Sequence, residues 1–298
     1  MKTALVLIKR NIKLFFKDKG MFLTALITPT ILLVLYATFL ANVYTDSFTS
    51  NLPEGFVLSE GIVDGLVGSQ LISSLLAVSC VTVAFCSNFL MVQDKANGTI
   101  NDLRISPAKS TTLSLSYYIA TIISTIIICL VALVLCLGYV AIVGWYMSIS
   151  DILLLILDIF LLVLFGTALS SIINHFLSTQ GQISAVGTII SAGYGFICGA
   201  YMPISSFGLG LQRVISFLPG TYATSLIRNH SMNGVFKAME NENIPFQVVD
   251  EMKKVLDCKL YFFDNEVSIL VMYLILSTSI LLMIGIYVLL NYLKKKEK

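Results

Sequence analysis

The residues of this sequence most able to mediate chemistry with a partner are the charged side chains of residues 91–112, which interrupt two long apolar runs. The basic members are Lys95, Arg104 and Lys109. A plain connector between two helices needs only a handful of residues. A longer break with mixed charge therefore predicts a structured surface on which a soluble partner could dock and deliver force or a signal.

A lone carboxylate, Asp158, lies inside another long apolar run. An ionisable group at membrane depth is costly and is a functional-site hypothesis by default. The predicted spans hold no Lys or Arg to pair with it, so we expect Asp158 to be protonated, hydrogen-bonded to Ser, Thr or Asn, or facing a wet cavity. A role in a substrate path and a structural hydrogen-bonding role both stay open.

Several kinds of chemistry are absent from the sequence. It contains no G-x-x-x-x-G-K-[ST], H-E-x-x-H or G-x-S-x-G motif. Its two histidines, His175 and His230, fall on opposite predicted sides of a membrane, which argues against a metal site or a His-based triad. The six cysteines form no C-x-x-C pair, and their expected role is packing. We expect no enzymatic activity, no bound cofactor and no nucleic-acid partner.

The composition is that of an integral membrane protein. Hydrophobic residues make up 57% and charged residues 12% of the chain, against about 25% charged in soluble domains. Because a spanning helix needs roughly 20 apolar residues, we predict an all-α fold with six transmembrane helices. The predicted spans are 21–42, 66–90, 113–143, 152–174, 183–202 and 267–292.

The basic residues predict the orientation of these spans. They are frequent before residue 20, in the 91–112 loop and after residue 293, and they are missing from 43–65. Lys and Arg mark the cytoplasmic side, so we expect both termini in the cytoplasm. Residues 3–19 form a basic amphipathic pattern that predicts a helix lying in the membrane plane.

The long segment 203–266 is predicted to lie outside. Residues 204–218 are too short and too mixed to cross, and they are bounded by Pro203 and Pro219. A re-entrant or interfacial hairpin fits them. Residues 221–266 indicate a small polar, helical, extracellular segment.

The charged loop also contains a recognisable motif. Residues 94–107, DKANGTINDLRISP, combine a turn pair, a short helix-like run and a Ser-Pro stop. This stretch and the order of spans resemble the permease subunits of ABC-2 type transporters, which have the type V exporter fold. The family loop resembles E-x-x-x-G-T-[LI]-x-x-L-x-x-[ST]-P, with Asp94 standing where a glutamate is usual. The positions that match this motif are Gly98, Thr99, Leu103, Ser106 and Pro107, and a second family pattern fits Pro203, Pro219 and Arg228.

The resemblance covers the whole chain, 1–298, as one transmembrane domain, and it implies a mechanism. Two copies of a separate ATP-binding subunit, which would bind ATP and Mg²⁺, would dock on the 94–107 loop. A second permease chain, identical or different, would complete the pathway. The loop residues implied in coupling are Asp94, Gly98, Thr99, Leu103, Arg104, Ser106 and Pro107. The path candidates on the second and fifth spans are Ser73, Ser74, Ser79, Thr82, Thr188, Ser191 and Tyr194.

The expected role is thus half of an ATP-driven export pathway in a bacterial plasma membrane, by analogy. An ion-coupled transporter using Asp158 is the alternative, although such folds often show internal repeats and none is evident here. An intramembrane enzyme is disfavoured, because no nucleophile–base pair occurs at membrane depth. A non-transporting scaffold or sensor subunit also stays open. The cargo is not specified beyond a mild preference for an amphipathic or hydrophobic molecule.

Overall fold

The structure is a computed structural model that describes residues 2–50, 58–106, 108–263 and 265–296, and these residues are largely helical. A π-helical segment, Tyr36–Leu40, joins two of the helices without a break. Two short strands, β1 (Leu260–Phe262) and β2 (Asn265–Val267), pair in an antiparallel hairpin. In chain order the α-helices in the described ranges are α1 (Lys2–Lys17), α2 (Lys19–Leu35), α3 (Ala41–Ser50), α4 (Glu60–Ala96), α5 (Thr99–Ile105), α6 (Ser110–Val143), α7 (Ile149–Phe176), α8 (Gln180–Ile197), α9 (Leu209–Ile215), α10 (Pro219–Asn241), α11 (Phe246–Val255) and α12 (Ile269–Lys296).

Five helical stretches in the described residues are long and apolar enough to cross a membrane. Each coincides with a predicted span, so the expectation of a helical membrane protein is confirmed. α4 has 37 residues and α6 has 34, more than the roughly 20 that one crossing requires. Tilt or extension beyond the bilayer would absorb this excess. The five stretches are Lys19–Asp46, Glu60–Ala96, Ser110–Val143, Ile149–Phe176 and Ile269–Leu293.

The sixth predicted span, 183–202, corresponds to the shorter helix α8. This helix ends at Ile197, and the amides of Ala200 and Tyr201 turn back onto the carbonyl of Gly195, at 2.8 and 3.1 Å. A helix of 18 residues rises about 27 Å, just under the ~30 Å of a hydrocarbon core. Two glutamines in its first turn also make it less apolar than the other spans. The six-span layout therefore stays a prediction.

α4 runs through the centre of the bundle and is buried along its whole spanning stretch. It contacts α2, α6, α7, α8 and α10. A helix that is apolar on every side suits such a position. The approach of α7 is close at Gly166, where a β-carbon would lie 3.1 Å from the Cα of Val81. The close contact between α4 and α7 therefore depends on the absence of a side chain at Gly166.

α1 packs against α6 and the start of α2. Its buried side chains are Leu7, Asn11 and Phe15, whereas Leu5 is exposed and Ile8 is half-buried. The helix therefore carries one face on the bundle and a second apolar face that is open to lipid. Its placement in the membrane plane stays a prediction.

The chain between α8 and α12 differs from the polar segment expected at 221–266. Residues 204–218 form a 3₁₀ turn and the short helix α9. α10 is then buried from Gly220 to Arg228 and packs against α4, α7 and α12. The polar side chains of α10 misled the sequence analysis, because several of them find partners inside the protein. The hairpin of β1 and β2 was likewise not anticipated.

Candidate functional site: the α4 clamp and the α2–α8 groove

The motif loop presents a short helix at the end of α4. Gly98 has φ +79°, a left-handed conformation that glycine adopts without strain, and it turns the chain from α4 into α5. On α5, Ile100 is buried against the bundle, whereas Ile105 is 85% exposed. The loop thus offers one free helix face with an apolar side chain at its tip.

The remaining motif residues divide between the bundle and solvent. Thr99 and Leu103 are half-buried, and Ser106 is exposed. The Ser106 hydroxyl donates to the carbonyl of Leu103 at 2.6 Å and so closes the last turn of α5. The side chain of Arg104 and the whole of Pro107 lie outside the described residues.

Asp94 is not on the exposed face of the loop. It is 6% exposed, and both carboxylate oxygens accept from Arg10 of α1, at 2.7 and 3.2 Å. The hydroxyl of Tyr117 on α6 donates to the same carboxylate. The hydrogen bond to Asp94 raises the pKa of Arg10 above its ordinary value, as expected for a cation paired with a carboxylate. Asp94 therefore joins the end of α4 to α1 and α6.

The next residue, Lys95, ties the end of α4 to a different helix. Its ammonium donates to the carbonyls of Asn174, His175 and Leu177, at 2.8, 3.0 and 3.0 Å. These carbonyls end α7, where a cation is favoured by unpaired carbonyls and by the helix dipole. We call the set Arg10, Asp94, Lys95 and Tyr117 the α4 clamp. Through it, the end of α4 is bonded to α1, α6 and α7.

A groove of about 950 Å³ runs between α2 and α8, with Phe89 of α4 on its floor. Its walls mix apolar side chains with the hydroxyls of Thr24 and Thr28 on α2. Thr188 and Ser191 of α8 also line it. Two of the predicted path residues thus lie together on one surface that is open on one side.

The other path candidates lie elsewhere. Ser73 and Thr82 are buried in α4, where their hydroxyls donate to carbonyls of the same helix at 3.0 Å. Ser74 and Ser79 are also buried in α4. Tyr194 is buried against α10, close to Gly220. In this conformation these side chains do not line the groove.

Asp158 is buried among α7, α10 and α12, away from the α2–α8 groove. One carboxylate oxygen lies 2.6 Å from Nδ1 of His230, and the other accepts from the hydroxyl of Tyr273 at 2.6 Å. These partners replace the Ser, Thr or Asn expected from the sequence. Within the described part of the chain, no three His, Cys, Asp or Glu side chains group as metal ligands. The arrangement favours a structural bond between three helices.

Arg228, two residues before His230 on α10, is 1% exposed. It donates to the carbonyls of Leu256 and Gly199, at 2.9 and 2.8 Å, and pairs with Asp257 at 3.1 Å. Pro219 opens the same helix, and Pro203 precedes the 3₁₀ turn. The Pro-Pro-Arg pattern therefore fixes α10 to the end of α8 and to the chain before the hairpin.

Sequence reasoning missed Arg10, Lys95, His230 and Tyr273 as site residues. Arg10 had counted only as a charge that sets orientation, Lys95 had counted as part of a docking surface and not as a bond to another helix, and Tyr273 had drawn no notice. Their partners lie between 72 and 115 residues away in sequence. No local signal in the sequence links such pairs.

Comparison with known proteins adds one result. The sequence model of the family described as ABC-2 type transporter matches residues 3–230. The match begins in α1, includes the α4 clamp and both walls of the groove, and ends at His230. No curated protein sequence matches the chain significantly.

Proposed function

Because this chain belongs to the ABC-2 type transporter family, we propose that it is the membrane permease of an ATP-driven exporter. Members of this family are membrane components of transporters, not catalysts themselves, and they normally work with an ATP-binding subunit. In our proposal that subunit is a separate chain present in two copies, and it binds the ATP and Mg²⁺. The permease acts with a second permease chain in the plasma membrane.

The observation that carries this proposal is that α5 has one exposed face and is attached to the bundle at its base. Its outer face is free to meet a partner, and Ile105 projects from it. Its base is the α4 clamp, which joins the end of α4 to the middle of α1, the start of α6 and the end of α7 through hydrogen bonds to Asp94 and Lys95. In this proposal, a partner that pushes α5 moves these four helices as one body, in a hinge-like motion.

The α2–α8 groove is the proposed half-pathway. It is open on one side, and a second permease chain would close it. Its lining combines apolar residues such as Ile27 and Ile31 with hydroxyls such as those of Thr188 and Ser191. This mixture suits an amphipathic cargo, whose apolar part packs on the aliphatic wall while its polar part meets the hydroxyls. Whether the second chain is identical to the first does not change this argument.

The test is to purify the tagged chain from its native membrane and to identify the proteins bound to it. Ile105→Asp should remove a P-loop ATPase that the wild-type chain retains, because a charge is placed on the apolar tip of α5. Ser150→Asp is the matched control, since Ser150 is also exposed but lies at the far end of α7. An ATPase retained equally by both variants, or none with the wild type, would count against the proposal.

A further inference from the structure

A second cavity, of about 330 Å³, lies between α9, the start of α10 and strand β1. We call it the α9–hairpin cleft. Its floor includes Asp257, whose carboxylate pairs with Arg228 at 3.1 Å and accepts from the amide of Ile204 at 2.8 Å. The protein therefore neutralises the one carboxylate of the cleft.

The wall of the cleft carries three cations: Arg213, Lys254 and Lys259. The two lysines share Asp250, at 3.1 and 2.5 Å, and Lys259 also reaches a glutamate of β2 at 3.5 Å. Arg213 pairs with no carboxylate among the described residues, and its guanidinium lies 5.6 Å from the centre of the Phe263 ring. The carboxylates of Asp250 and Glu266 thus balance the two lysines. The guanidinium of Arg213 is left to bind an anion.

The surface beside the cleft is apolar and aromatic. Leu209 and Phe217 are exposed, and the Phe217 ring lies 5.1 Å from that of Phe262. The hairpin leads directly into α12, whose first residues include the exposed Leu270. Since α12 is a candidate membrane span, the hairpin that carries part of this aromatic surface leads along the chain into a helix that lipid would cover. Exposed Leu and Phe side chains beside basic residues are typical of a surface that lies in the membrane interface.

We propose that the α9–hairpin cleft binds the phosphate of an anionic phospholipid in the leaflet at this end of the bundle. The guanidinium of Arg213 would hold the phosphate through two parallel hydrogen bonds, as Arg does with planar or phosphate anions. The acyl chains would lie along the exposed apolar side of α9 and the ring of Phe217. This inference depends on membrane embedding and does not depend on ATP-driven export.

The test uses the full chain in nanodiscs of phosphatidylcholine with an increasing share of phosphatidylglycerol, and counts retained lipids by native mass spectrometry. The wild type should retain phosphatidylglycerol in preference. Arg213→Gln should weaken that retention about tenfold, as loss of one charge-assisted contact implies. Lys237→Gln is the matched control, because Lys237 is exposed and lies outside the cleft. Arg213→Lys keeps the charge but loses the fork and should give an intermediate result.

Three results would overturn the proposal. If the wild type and Arg213→Gln both retain the two lipids equally, and thermal unfolding shows that the variant is folded, the cleft binds no anion. Displacement of the lipid by soluble glycerol phosphate would assign the cleft to a free phosphate. If Phe217→Ser converts a dimer to a monomer and leaves lipid retention unchanged, a second copy of the chain occupies this surface.

Discussion

At the scale of single residues, the carboxylate of Asp94 is the joint between the motif loop and the bundle. Asp94→Asn removes the charge that Arg10 faces at 2.7 Å, and a charge-assisted contact of this kind contributes about 1.5–3 kcal/mol. We expect a loss of stability near that size and, if the proposed function holds, weaker coupling of ATP hydrolysis to transport. The measurements are thermal unfolding in detergent and ATPase activity of the reconstituted complex.

Asp102→Asn is the matched control for this prediction, since Asp102 is an exposed carboxylate on α5. A surface change of this kind usually stays within about 0.5 kcal/mol. If both variants unfold at the same temperature, the contact between Asp94 and Arg10 adds nothing to stability and the α4 clamp loses its main bond.

Gly98 allows a second comparison. A β-carbon there would meet no atom within 4 Å, yet φ is +79°, and a non-glycine residue in that conformation costs about 1–2 kcal/mol. Gly98→Ala should therefore destabilise the turn, lower thermal stability and weaken recovery of the ATPase. Gly181→Ala is the control, because its site is equally open and its φ is ordinary. Gly98→Asn should be milder than Gly98→Ala, since Asn tolerates this conformation better.

These two residues also show what sequence could predict. The Asn97-Gly98 pair predicted a turn, and φ at Gly98 agrees with it. The buried pairing of Asp94 could not be predicted, because its partner Arg10 lies 84 positions earlier. Sequence patterns report local backbone preferences, whereas the pairing of distant side chains depends on the packing of whole helices.

At the scale of elements, α10 is the helix whose position the sequence concealed. Its polar residues suggested a solvated segment, but Arg228 bonds to the chain before the hairpin and His230 bonds to Asp158 of α7. Two residues apart on one helix, they anchor α10 in two directions. Because polar groups that satisfy each other can be buried, a mixed composition did not exclude burial.

The packing of α10 against the loop before α7 gives a third prediction. A β-carbon at Gly234 would lie 1.9 Å from the carbonyl oxygen of Tyr146, so Gly234→Ala must push α10 away from that loop. Overpacking of this kind costs about 1–3 kcal/mol or more, and thermal unfolding should detect it. Gly285→Ala on α12 meets no atom within 4 Å and should be neutral. Equal stability of the two variants would mean that α10 does not pack as described.

At the scale of the whole molecule, composition predicted the class and five of the spans, because apolar runs of spanning length have few other uses in a folded chain. It could not predict that α4 stands at the centre. A helix that is apolar all round carries no face to orient it, so its neighbours are chosen by contacts such as that of Gly166 with Val81. For the same reason, the sequence could not predict that Ser73 and Thr82 are buried and lie away from the α2–α8 groove.

We expect the α2–α8 groove to be filled with water. All six cysteines of the chain are buried, and with Cys86, which also lines the groove, changed to Ala, a single introduced cysteine should dominate labelling by a polar, membrane-impermeant thiol reagent. Thr188→Cys places the thiol on the groove wall, whereas Leu135→Cys places it on the exposed outer face of α6, where lipid would cover it. Thiolate, the reactive form, is suppressed in apolar surroundings. Thr188→Cys should therefore react several-fold faster, and saturating cargo should slow it. Equal, slow reaction at both positions would mean that lipid or a neighbouring chain fills the groove, and the cargo path would have to lie elsewhere.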